Sequence, residues 1–186
     1  MLLFVGLGNP TQDSENNRHN VGFKIIDSIN KKFGLSKQKP KFKGLLTTGN
    51  VGDQKVYAIK PLTFMNNSGI CIREIIEYFK IDAEDVIVFH DDLDVEFGKI
   101  KAKFSGSSAG HNGIASIDKF IGKDYSRVRI GIGKPKENLE VGDFVLQNFD
   151  EDEMLGIEKI SNNINDSISL LVEKKLDLFS STVNNK

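Results

Sequence analysis

Each of the three histidines in this chain is followed by a side chain able to hydrogen-bond an imidazole: His19 by Asn20, His90 by Asp91 and His111 by Asn112. A lone histidine is more often a satisfied structural residue than a catalyst. These three, however, fall in loop-like or strand-end sequence, where catalytic groups concentrate. Competing chemistries are poorly supported. GLGNPT (6–11) has two glycines of a dinucleotide fingerprint but lacks the third and puts Pro10 where the helix would begin. No GxxxxGK[ST] loop is present. The histidines and Asp91-Asp92 could in principle hold a metal, but no pair has a recognised ligand spacing. Ser68, in NNSGI, is explained by helix capping, and Cys71, beside a helical apolar stripe, by packing. What remains is a histidine general base acting on water, an aspartate to hold its ring, and neutral amides to position a polar substrate and its oxyanion. Asn9, Asn66 and Asn112 could supply those amides.

The elements that must position these groups follow from hydrophobic spacing. Leu2 to Val5 is an apolar run closed by Gly6, Gly8, Asn9 and Pro10, which predicts a strand buried on both faces. Val86 to Phe89 is a second such strand, running into His90-Asp91-Asp92, and Val56 to Ile59 is a third. Helical spacing is expected over Asn20 to Phe33, Ser68 to Phe79 and Ile114 to Ile121. Lys99 to Phe104 and Arg127 to Ile132 alternate as half-exposed strands do. A C-terminal amphipathic helix, or two in line, is expected at about 151–175, with the last residues, SSTVNNK, frayed. The pattern predicts an α/β fold, a single domain over 1–186 with a central mixed, twisted sheet flanked by helices. Ligands of such sheets sit beyond the carboxyl ends of the strands, where Asn9 and Asp91 are expected together.

A chain of 186 residues, 39% hydrophobic, is the size of one compact domain. No stretch approaches the roughly 20 apolar residues a membrane span needs. The single cysteine fits a reducing compartment, and a cytoplasmic location is expected. Net charge is only −1, but it is unevenly spread. Residues 99–136 carry nine basic side chains against Asp118 and Asp124, whereas 137–158 carry eight acidic ones and no base. Lysines that merely keep the surface soluble would explain the charge taken alone.

GLGNP (6–10), RHNVG (18–22), FMNNSG (64–69), HDDLD (90–94), GHNG (110–113), RVRIGIGKP (127–135) and FVLQNF (144–149) occur in this order. Together they resemble the bacterial peptidyl-tRNA hydrolase family over residues 1–149. The resemblance implies hydrolysis of the ester between peptide and tRNA, recycling tRNA from aborted translation. It implies His19 as general base, Asp91 as its partner and Asn9 as a stabiliser of the carbonyl oxygen. Asn66, Asn112, Met65 and His111 would bind substrate, while Lys101, Lys103 and Arg129 would face the tRNA. It implies no metal or cofactor, no membrane, no obligate protein partner and a monomer. Thr11, Ser14, Asn17 and Ala109 depart from the family pattern: Ser14 replaces an aromatic residue, and Thr11 and Ala109 replace glycines. Thr11 is expected to restrain a turn that glycine would leave free. Two other readings are a non-catalytic RNA-binding relative, disfavoured by the intact His19 and Asp91, and a small-ester esterase, disfavoured by the basic segment.

Overall fold

A computed structural model describes residues 1–186. Four parallel strands form the centre of one seven-stranded sheet: β1 (Leu2–Gly6), β4 (Gln54–Pro61), β5 (Val86–Asp92) and β7 (Ser126–Gly131). Antiparallel strands complete both edges. β3 (Gly44–Val51) and β2 (Lys39–Lys41) extend one side, and β6 (Ile100–Phe104) the other, giving the order β2-β3-β4-β1-β5-β7-β6. The sheet is therefore mixed, as expected.

Strand alternation divides the interior in two. Leu2 and Phe4 join a core with α1 (Val21–Lys32) and α5 (Glu151–Asp166). Leu3 and Val5 join another with α2 (Ser68–Phe79) and α3 (Asn112–Ile121). Ile25, Ile26 and Ile29 of α1 are at most 1% exposed. Burial of one such side chain is worth about 1.5–3 kcal/mol. Gly34, at φ 59°, ends the turn after α1, with Leu35 N–H donating back to Asn30 O.

Several expectations need correction. β5 runs through Asp92, so His90 and Asp91 are strand residues and do not lie in the loop beyond it. The C-terminal helical region is divided into α5, α6 (Ile168–Val172) and α7 (Leu176–Asn184), with Ser167 at the first break. The tail is not frayed. Phe179 and Val183 of α7 are buried, and the polar side chains that follow each of them cover the outer edge of β6. Ser180 Oγ accepts from Ala102 N, while Asn184 accepts from Ile100 N and donates to Ile100 O. These bonds satisfy backbone groups that an open edge strand would leave to water or to another chain. Between β7 and α5 lies a short helix, α4 (Val141–Val145), which borders the site described next.

Candidate active site

His19 lies in a short 3₁₀ turn, Arg18–Asn20, that leads into α1. The turn is held from behind by residues 147–149. Arg18 N donates to Gln147 O and Phe149 N to Asn16 O, and Asn17 bridges Asn148. The Arg18 guanidinium lies 4.7 Å from the Phe144 ring centroid and donates to Glu153 at 3.1 Å. Glu153 also closes a capping box with Asp150 at the start of α5. On the other side, α1 presses directly against the strand ends. A Cβ on Gly22 would collide with the Phe89 carbonyl oxygen and stand 2.5 Å from the Leu7 nitrogen. Only glycine permits this approach, which carries His19 to the end of β5.

There Asp91 meets two imidazoles. His19 Nδ1 is 2.8 Å from Asp91 Oδ2 and 3.0 Å from Oδ1, and His111 Nε2 is 2.8 Å from Oδ1. The tautomer of His111 is fixed by its position as N-cap of α3. Its Nδ1 accepts from Gly113 N and Ile114 N, so Nε2 carries the proton and donates to Asp91. Burial by itself would push the Asp91 carboxyl up, but His111 and His19 outweigh it and hold the group well below the usual carboxylate range. An ionised Asp91 accepts from His19 Nδ1–H, leaving Nε2 of His19 as the basic nitrogen. His90 is separate. It is buried, donates from Nδ1 to the Asp91 carbonyl, and burial pushes its imidazole far down, with His111 adding to the effect.

The amides are positioned by one another. Asn20 Oδ1 accepts from Asn9 N and its Nδ2 donates to Asn9 O, both at 2.9 Å. Asn9 Oδ1 accepts from Met65 N at 2.8 Å, so its Nδ2 protons have no protein partner. Asn20, which the sequence marks only as the neighbour of His19 in RHN, thus orients the Asn9 backbone. Met65 and Asn66 begin a 3₁₀ turn after Phe64, whose φ of 64° is costly for a bulky side chain, about 1–3 kcal/mol. The turn is held by Asn9, by Thr63 Oγ1 donating to Asn67 O and by Ser68 Oγ donating to Met65 O. Ser68 thus bonds back to a carbonyl and does not cap the helix.

A cavity of about 450 Å³ opens between the end of β5, residues 108–112 and α4. His19, Asp91, His111 and Asn112 line it, with Asp92, Val141 and Val145. The structure does not bring the other predicted site residues into this cavity: Asn9 lines a separate, smaller depression, Met65 is buried against Gly113, and Asn66 is exposed without a hydrogen bond. Lys101 and Lys103 project from β6, and Arg129 on β7 is paired with Asp92 at the end of β5.

The peptidyl-tRNA hydrolase family profile matches residues 3–186. The chain belongs to this family. It is 82% identical to the peptidyl-tRNA hydrolase of Pelagibacter ubique over 186 residues, the whole of both chains. It is 46% identical to that of Bacillus subtilis over 160 residues, covering 86% of this chain and 85% of the relative. The crystal structure of peptidyl-tRNA hydrolase from Acinetobacter baumannii superposes with a TM-score of 0.91 at 32% identity, covering 99% of this chain and 94% of that one. Against the pattern of peptidyl-tRNA hydrolases, Thr11 has an ordinary extended φ of −74°, so glycine freedom is not needed there. Its hydroxyl lies 2.6 Å from that of Ser14, which is buried where the family usually has an aromatic ring. Ala109 does occupy a glycine-like position, at φ 46° in the cavity wall. Ligand atoms of His19, Asp91 and His111 lie within 4.8 Å of one another. His111 nevertheless offers no lone pair to a metal there, since Nε2 carries the proton.

Proposed function

We propose that this peptidyl-tRNA hydrolase cleaves the ester between peptide and tRNA with His19 as general base and without a metal. Nε2 of His19 takes a proton from water as the water attacks the ester carbonyl. Asp91 accepts from Nδ1, keeps the productive tautomer and stabilises the imidazolium that forms. The unpaired Nδ2 protons of Asn9 serve the developing oxyanion, with Asn66 and Asn112 holding substrate at the rim. Met65 supports Asn9 through its amide, and His111 holds the second face of Asp91. Proton return to the departing ribose oxygen completes the cycle, and tRNA and free peptide leave.

The observation that carries this reading is the pair of imidazoles on one buried carboxylate, with only His19 left a free ring nitrogen. Lys101, Lys103 and Arg129 are the tRNA-facing residues in this scheme, the chain acting as a monomer in the cytoplasm. The test is release of tRNA from N-acetyl-aminoacyl-tRNA, measured in EDTA for the parent chain and His19→Ala. The parent should be fully active in chelator. His19→Ala should lose about 10²–10⁴-fold in turnover while still binding tRNA. Near-normal turnover by the variant, or parent activity that returns only with Zn²⁺ or Mn²⁺, would remove the mechanism.

A further inference from the structure

We propose that Asp92 is a positioning residue for RNA binding: it holds the inner edge of Arg129 so that the outer edge of the guanidinium is turned toward a phosphate. The proposal rests on the reading of Arg129 as tRNA-facing. It begins from register. His90 of β5 is paired with Arg129 of β7, and Arg129 with Lys101 of β6. Paired residues share a face, and Asp92, two beyond His90, shares it as well. Asp92, Arg129 and Lys101 therefore form a row from the cavity wall to the sheet edge.

Both oxygens of Asp92 are committed. Oδ2 accepts from Arg129 Nε at 2.7 Å, and Oδ1 accepts from Asp94 N at 2.8 Å. The carboxylate is thus locked and in turn locks the arginine. Nη1 and Nη2 of Arg129 make no hydrogen bond within the protein. Arg127, two residues earlier on the same face, provides the contrast. Its side chain is 1% exposed, and its Nη groups donate to Ser107 O and Asp118 Oδ1. Arg127 is a structural residue, whereas Arg129 has one occupied edge and one vacant edge. A guanidinium fork held in this way matches two phosphate oxygens with little further loss of side-chain freedom. Lys101 and Lys103 stand nearby without an ion-pair partner, and Arg129 and Arg127 add to the burial that lowers the Lys103 pKa, so the cluster retains uncompensated positive charge.

The alternative role for Asp92 is simple neutralisation of a partly buried arginine, and the two roles predict opposite signs. The experiment is binding of deacylated tRNA, followed by fluorescence anisotropy across a salt series, with circular dichroism melts to verify folding. Asp92→Asn should weaken binding roughly tenfold, the scale of one charge-assisted hydrogen bond. It should also reduce the slope of log K against log salt by about 0.7–0.9, the value of one phosphate contact. Asp92→Glu should recover part of both. Arg129→Ala should match Asp92→Asn, and the double variant should be no weaker than Arg129→Ala alone. If Arg129→Ala weakens binding while Asp92→Asn leaves it unchanged or tightens it, positioning by Asp92 is wrong and the tRNA-facing role survives. If Arg129→Ala has no effect, both are wrong.

Discussion

Asp91 is the residue on which the site is balanced, because one carboxylate serves two imidazoles with different duties. His111 is pinned through Nδ1 to the start of α3 and fixes one oxygen; His19, pinned only through Asp91, remains basic on its other nitrogen. Asp91→Asn should keep the fold but lower turnover by roughly 10²–10⁴-fold, since an amide cannot stabilise the imidazolium as a carboxylate does. The same variant has a pH signature. Burial opposes ionisation of Asp91, but the imidazoles win and its folded pKa lies below the ordinary carboxylate range. A depressed carboxyl contributes stability that is fully present above the unfolded pKa and is lost as pH falls below it. Urea unfolding should therefore show the parent losing stability more steeply than Asp91→Asn between about pH 4 and pH 2. Equal slopes would mean that Asp91 is not held ionised by its neighbours. At this scale residue types are legible in the sequence: His19, Asp91 and His111, which the structure joins by hydrogen bonds, stand in RHN, HDD and GHN. Partner choice was not visible. That His111 shares the carboxylate while His90 turns its ring to a backbone carbonyl depends on strand alternation and a helix cap, neither of which adjacency in sequence reveals.

The elements bring these residues together by close contact of backbone with backbone. At α1 the contact is Gly22 against Phe89 and Leu7, with the carbonyl of Gly22 in turn packed where a Cβ on Gly6 would have to go. Alanine in place of a helical glycine ordinarily stabilises by about 0.5–1 kcal/mol. Here the sign should reverse. Gly22→Ala should cost about 1–3 kcal/mol in urea unfolding, as overpacking does, because the opposing atoms are backbone and cannot rotate away. It should also lower turnover, because relief of the clash moves α1 and with it His19 away from Asp91. A stabilised, fully active variant would show that α1 can shift freely. Periodicity made the inner elements readable: β1, β5 and α2 are apolar in the pattern their burial requires. The edges were harder. β2 is only Lys39–Lys41 with a central proline, and β3 mixes Thr, Gly and Asn with an irregular burial pattern. α7 is hidden in the sequence because Ser180 and Asn184 look like tail residues until β6 supplies the backbone groups they bind.

Over the whole molecule, a net charge of −1 conceals two opposed regions. Much of the acidic one has a local cause. Glu151, Asp152 and Glu153 occupy the first turn of α5, and Asp150 caps it, so these charges meet the positive end of a helix dipole. The basic region has no comparable explanation for all of its members. Arg127 is internal and bonded to Asp118, but Lys101 and Lys103 on β6 lack carboxylate partners, at the sheet edge beyond the cavity. Solvation alone would place lysines anywhere on the surface; phosphate recognition under the proposed function would require them beside the cavity. Each lysine bound to phosphate releases counterions, with a slope of about 0.7–0.9 in log K against log salt. Replacing Lys101 and Lys103 together by Ala should therefore raise KM for full-length peptidyl-tRNA and flatten its salt dependence by about 1.4–1.8. A minimal peptidyl-adenosine ester has no phosphate to lose and should be cleaved with an unchanged salt response. Equal losses on both substrates would assign the lysines to the fold or the chemistry. If neither substrate were affected, the basic edge would be solvation only, and recognition of the tRNA body would have to come from elsewhere on the molecule.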